Sequence, residues 1–198
     1  MCVDVVAHRP TRRRLELDER RDELLSAARA EFTARPYDEV SLDHVAARAG
    51  ASKALLYHYF QSKRALYTAT LKQAAAELIA CTEPDPRWPP DERLRRGLEA
   101  YLDYAEQAGP GYVALLRGGV GVDKQVFEIV ERTREKIVER ALATMGVPHP
   151  PPSLHVALRG WLGFVEAASI EYLRHRKISR EELLALLVRT AIAAVEGA

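Results

Sequence analysis

Residues 41–60 read SLDHVAARAGASKALLYHYF, and this stretch decides the fold. Ser41 is placed to cap a helix, its hydroxyl accepting from a backbone N–H of the first turn. Leu42, Val45, Ala46 and Ala49 then recur at helical spacing and form one apolar stripe. Gly50 ends this helix, because glycine enters the left-handed conformation without steric penalty. Ser52 can cap a second helix, whose apolar face is Leu55, Leu56, Tyr59 and Phe60. Two short helices joined by a three-to-four-residue turn containing glycine make a helix-turn-helix pattern. Its second helix has the size to lie in the major groove of DNA.

The charge around this stretch fits such a partner. Between residues 41 and 64, Arg48, Lys53, Lys63 and Arg64 stand against Asp43 alone, a local excess of +3, while the whole chain carries +1. A local basic patch on helices is what phosphate attraction requires. Ser41, Ser52, Lys53, Tyr57, His58 and Lys63 can donate hydrogen bonds to phosphates or base edges, and His44 reads as part of the same surface.

The chain has 198 residues, 47% of them hydrophobic, which bounds it to one or two small globular domains. Two cysteines, Cys2 and Cys81, cannot build a disulfide framework. Cys81 reads as a small buried residue, and a reducing cytoplasm is the expected location. The opening MCVDVVAH lacks the long apolar run of a secretory signal, and Arg189 interrupts the most apolar C-terminal stretch well short of a membrane span. Sparse β-branched alternation and abundant Ala, Leu, Arg and Glu predict an all-α chain.

In chain order, residues 1–17 hold Arg9, Arg12, Arg13 and Arg14 without a clear stripe. They read either as a flexible basic arm reaching DNA or as a solvated terminus. A first helix is predicted over 18–34, with Leu24, Leu25, Ala28 and Phe32 inward. Pro36 stops it, and Tyr37 and Val40 plug the core of the three-helix unit over 18–64. A connecting helix runs to about residue 82, and the Pro-rich segment 83–90 is a stiff break before a second domain, 83–198.

That domain carries a stripe over Leu94–Ala105, a short helix at 112–117, an amphipathic helix over 123–145, and a helix capped by Ser153 running to about 176. A last helix is opened by the capping box Ser179–Glu182. The final two helices are apolar on more than one side, so one side packs on its own chain and the other on a second copy. Leu158, Gly160, Leu162, Val165, Leu184 and Leu187 are the expected dimer contacts, the glycines permitting close approach.

Gly50-Ala51-Ser52-Lys53, Leu56-Tyr57-His58-Tyr59-Phe60, Ser62-Lys63 and Leu66 resemble the N-terminal signature of tetracycline-repressor-type (TetR) regulators, A-x-x-A-G-V-S-x-G-x-L-Y-x-Y-F-x-x-K. The resemblance covers roughly residues 18–70; beyond them only helix count and length agree. Ala54 replaces the usual Gly, Leu55 the usual Thr or Ser, and Pro36 stands where Gly is common. The resemblance implies a ligand-responsive regulator, most often a repressor, bound as a two-fold homodimer to an inverted-repeat operator with half-sites about 34–36 Å apart. Ser41, Lys53, Tyr57 and Lys63 would hold phosphates, with Arg12, Arg13 and Arg14 as a possible addition. Lys53, Leu55 and His58 would read bases, on a face shared with Ser52 and Ala54. The second domain would enclose a small, mainly apolar effector, for which Tyr101, Tyr104, Phe127, Trp161 and Phe164 are the candidates. The last two helices would form a four-helix dimer interface.

Other classes fit less well. Gly118-Gly119-Val120-Gly121 lacks the spacing of a phosphate cradle and follows no strand, so it reads as a loop between helices. The six histidines form no metal-ligand pattern, and His155 reads as an ordinary helix position. No cofactor, catalytic group or metal is expected, so an enzyme is disfavoured. A helical adaptor using the same fold for protein contacts would not need the basic set Lys53, Lys63 and Arg12–Arg14.

Overall fold

The computed structural model describes residues 12–108, 124–147 and 149–198, with side chains from residue 17 onward. The described residues form eight α-helices and no strand. These are α1 (Arg12–Ala34), α2 (Leu42–Arg48), α3 (Lys53–Tyr59), α4 (Lys63–Cys81), α5 (Pro90–Ala108), α6 (Lys124–Met145), α7 (Pro152–His175) and α8 (Arg180–Glu196), with one 3-10 turn at Tyr37–Glu39.

The helix ends follow from local chemistry. Ser41, Ser52 and Ser62 each accept a first-turn backbone N–H at 3.1–3.2 Å, opening α2, α3 and α4. Gly50 closes α2 with φ +57°, the left-handed value that glycine takes freely. The Ser179–Glu182 capping box is formed at the start of α8.

Three boundaries differ from expectation. α1 begins at Arg12, because Arg, Leu and Glu continue the helix toward the N-terminus. The expected arm is therefore partly helical backbone, while the side chains of Arg12, Arg13 and Arg14 lie outside the described residues. α7 opens at Pro152 behind Pro151, not behind Ser153: a proline at the first helical position loses no helical hydrogen bond. The Ser153 hydroxyl instead donates to the Ala198 carbonyl at 2.6 Å. Cys81, expected to be buried, is exposed at the end of α4. The short helix expected at 112–117 and the glycine loop 118–121 lie outside the described residues.

α1, α2 and α3 pack with the first half of α4 around Leu24, Leu25, Phe32, Val45, Leu56 and Leu66. Tyr37 closes this core against Phe32 and Tyr67, with ring centroids at 6.0 and 5.0 Å. Val126, from the start of α6, is fully buried in the same core. A second core joins Leu78 of α4 to Leu98, Tyr101 and Leu102 of α5, Val165 and Tyr172 of α7, and Leu183, Leu184 and Leu187 of α8. A third holds Val138, Leu154, Leu158 and Leu162 between α6 and α7. α4 thus belongs to both halves of the molecule. Among the described residues no helix is long and apolar enough to cross a membrane.

Candidate nucleic-acid interface and ligand cavity

α3 is seated by one side chain. Leu56 is fully buried beneath it, worth roughly 1.5–3 kcal/mol for a side chain of that size. Seven residues are too few for a stable isolated helix, so this seat and the Ser52 cap hold the surface in shape. With Leu56 inward, Ser52, Lys53, Ala54, Tyr57 and His58 are exposed on the opposite side, and Leu55 is half-buried. The expected reading face is therefore assembled on one side of α3. The Lys53 ammonium lies 2.8 Å from Asp43 of α2, and this hydrogen bond and charge raise its pKa. Lys63 donates to the Asp38 carbonyl at 3.2 Å and sits 4.7 Å from the Tyr37 ring centroid. Both ammonium groups keep N–H donors for a phosphate.

Arg48 does not join this face. Its Nε donates at 2.8 Å to Glu31, a carboxylate only 5% exposed, which Arg35 also approaches at 3.2 Å. Arg35 further donates to His44 Nδ1 at 3.0 Å, so His44 is tied to α1. This cluster, which sequence spacing did not reveal, locks α2 onto α1. Arg20 adds a bond to the Gly50 carbonyl at 3.1 Å.

A cavity of about 510 Å³ is lined by residues of α4, α5, α6, α7 and α8, with Arg29 and Thr33 of α1. Tyr101, Tyr104 and Trp161 are on its wall, with Leu71, Leu78, Leu98, Ile137 and Leu162. The Trp161 indole donates to the Leu187 carbonyl at 3.1 Å, which fixes the ring against α8. Phe127 and Phe164 are not on this wall. They are 46% and 38% exposed; Phe164 lies on the face of α7 opposite its core stripe, and Phe127 lies in the first turn of α6, before the cavity lining begins at Ile129. They are withdrawn as cavity candidates.

The expected dimer contacts also divide. Leu158, Leu162, Val165, Leu184 and Leu187 pack inside the chain's own cores. Only Gly160 lies outward, with Val156 (69% exposed), Gly163, Phe164 and Ala167 on the same side of α7. Nothing lies within 4 Å of a Cβ built on Gly160 or Gly163. Two apolar faces were legible from periodicity; which one turns inward is decided by the neighbouring helices. His155 pairs with Glu135 of α6 at 3.0 Å, and among the described residues no cluster of metal-ligating side chains occurs.

At the junction of the two halves, Arg29 of α1 pairs with Glu77 of α4 and donates to the Tyr104 hydroxyl of α5 at 3.1 Å. That hydroxyl donates to the Ala74 carbonyl of α4 at 2.9 Å. Arg29 and Tyr104 both line the cavity.

A helix-turn-helix with an outward basic face, joined through a shared helix to a second helical half that encloses an apolar cavity, defines a helical DNA-binding protein. Comparison with known proteins gives the class. Residues 24–70 match the family described as bacterial regulatory proteins, tetR family, and residues 90–194 match the tetracyclin repressor-like C-terminal domain. The chain belongs to the TetR family of transcriptional regulators. It is 37% identical over 124 residues to the HTH-type transcriptional activator FasR of Mycolicibacterium smegmatis, a match covering 62% of this chain and 57% of that protein. The matched region thus spans little more than half the length of this curated relative. A tetR-family regulator from Streptomyces coelicolor superposes with a TM-score of 0.83 at 35% identity, over 89% of this chain and 80% of that one. FadR of Bacillus subtilis, solved with stearoyl-CoA, shares the fold with a TM-score of 0.71 at 13% identity, over 89% and 98% of the two chains.

Proposed function

We propose that the protein is a homodimeric regulator that reads an inverted-repeat operator through α3 and is switched by a small, mainly apolar effector held in the 510 Å³ cavity. The observation that carries the reading is the seating of α3 by Leu56, which leaves Lys53, Ala54, Tyr57 and His58 outward on one side. Lys53 and His58 read base edges with Leu55, while Ser41, Tyr57 and Lys63 hold phosphates. The outward apolar side of α7, around Gly160, Gly163 and Phe164, takes the same side of a second copy, in keeping with the dimers of this family.

The effector acts through the junction. A ligand that displaces Tyr104 loosens the Arg29–Glu77 contact, and α1 and α4 then shift the recognition helices relative to their half-sites. The coupling is expected at about 1–3 kcal/mol, set by how much better the ligand binds one state than the other.

Selection of the purified protein against a pool of random DNA duplexes at moderate salt tests the reading. Enrichment of an inverted repeat, bound with a steep salt dependence, is the expected result. An absence of enrichment, repeated after refolding from denaturant to strip any bound ligand, would refute it in favour of an adaptor. The resemblance points to repression and the curated relative is named as an activator; a reporter driven from the selected operator gives the sign for this chain.

A further inference from the structure

The cavity is elongated. Beyond the polar first turn of α5, its apolar lining on that helix runs from Leu94 to Ala108. At about 1.5 Å per residue this stripe climbs roughly 21 Å, about twice the diameter of a sphere of the same volume. The lining on α6, from Ile129 to Met145, is of similar length. A ligand that fills such a space is extended.

Most of the cationic and threonine side chains on the wall already have partners on the chain itself. Thr33, Thr82 and Thr133 turn their hydroxyls onto carbonyls of their own helices at 2.7–3.1 Å. Arg29 is paired with Glu77, Arg134 with Glu166 and Arg140 with Glu83. Arg93, on the first turn of α5, forms no direct ion pair among the described residues; the Asp85 carboxyl is paired with Arg87, which holds it low with some help from the charge of Arg93. Its guanidinium donates to the carbonyls of Pro86 and Trp88, which fixes it against the linker rim of the cavity. Two carbonyls supply no counter-charge and leave several of the five guanidinium N–H groups available. Asp91 shares the rim as an exposed carboxylate.

From this placement we infer that the cavity takes a single-chain amphiphile with an anionic head, its hydrocarbon chain lying along α5 toward Tyr104 and its head paired with Arg93. The inference rests on the effector reading of the cavity given above. A carboxylate or phosphate head suits a guanidinium that presents parallel donors, and an extended chain suits a long wall of Leu, Ile and Ala. A compact polycyclic ligand would leave both ends of the channel empty. The shared chemistry covers a free long-chain carboxylate and an acyl thioester of a phosphate-bearing carrier.

Isothermal titration of the full chain, stripped of bound lipid, with palmitate, palmitoyl-CoA and cetyl alcohol tests this. At least one anionic probe is expected to bind about tenfold more tightly than the alcohol, a difference of about 1.4 kcal/mol. Palmitate alone would identify a free carboxylate and palmitoyl-CoA alone a carrier-borne chain. Arg93→Gln keeps donors for the Pro86 and Trp88 carbonyls but removes the charge. It should bring the anion to the affinity of the alcohol while leaving the alcohol unchanged, which also reports that the cavity is intact. Asp91→Asn should tighten the anion. Equal affinity for anion and alcohol, an unchanged preference in Arg93→Gln, or binding of none of the three probes would overturn the inference. A protein that fails these titrations yet selects an inverted repeat remains a DNA-binding regulator; one that passes them yet selects no DNA loses the regulatory reading alone.

Discussion

Arg29 on α1 reaches the Tyr104 hydroxyl on α5 at 3.1 Å while pairing with Glu77 on α4, so one guanidinium touches both halves of the molecule and the helix they share. Burial pushes the Tyr104 phenol up to about 12, so this contact does not titrate near neutral pH. Tyr104→Phe removes two hydrogen bonds and should lower stability by about 1–2 kcal/mol in urea melts. It should also weaken the change in operator affinity on adding a cavity ligand, with ligand-free DNA affinity nearly unchanged. An undiminished response would remove Tyr104 from the coupling.

Gly50 sets the angle between α2 and α3. A methyl group at this position meets nothing within 4 Å, so Gly50→Ala tests the backbone alone. At φ +57° the left-handed conformation costs a non-glycine residue about 1–2 kcal/mol. That loss should appear in thermal or urea unfolding, with the operator sequence preference retained by the folded fraction.

Lys53 and Lys63 are both basic but differently placed, one on the outward side of α3 and the other folded over Tyr37. Lys53→Ala should cost about 1–3 kcal/mol on the selected operator and relax one base position. Lys63→Ala should weaken all sequences alike and flatten the salt slope by about one unit. Equal loss of discrimination from both would refute the division. Competition binding on single-base operator variants measures it.

Glu106 joins α5 to the end of α7. Burial pushes its carboxyl up, but hydrogen bonds from Arg176 and Tyr172, with the charges of Arg176 and Arg180, outweigh this and hold it below the ordinary 4.5. A depressed pKa stabilises the fold above the unfolded value, and that stabilisation is lost as pH falls through the folded one. Glu106→Gln should therefore lower the melting temperature near neutral pH and leave a flatter acid limb below pH 4.5. An acid limb parallel to that of the parent would sink this assignment.

Much of this architecture was legible in the chain. Gly50, the capping serines 41 and 52, the Tyr37 plug and the Ser179–Glu182 box are local signals, and each is written within a few residues. What was not legible depends on contacts between distant segments. Arg48 carries the same formal charge as Lys53, yet Glu31, 17 residues earlier, draws it off the DNA-facing side. Phe127 and Phe164 have the composition of a ligand wall, but Phe164 is turned outward by helix phase and Phe127 lies before the cavity lining begins. Leu158 and Gly160 are two positions apart on one apolar helix, and the placement of the neighbouring helices decides which of them faces the core. Arg93 gave no sequence signal, because its distinction is the lack of a direct ion pair in space.

Val126 begins α6, well past the proline-rich break that separates the halves in sequence, yet it is fully buried in the core beneath the helix-turn-helix. The reading head is therefore not a detachable module. A fragment ending at Cys81 would carry an open slot in its interior, where even a partial cavity costs on the order of 24 cal/mol per Å³. The two halves should melt in a single cooperative transition, and the operator should act as a thermodynamic ligand for the whole chain: DNA bound at one end will raise the unfolding temperature reported by a tryptophan at the other.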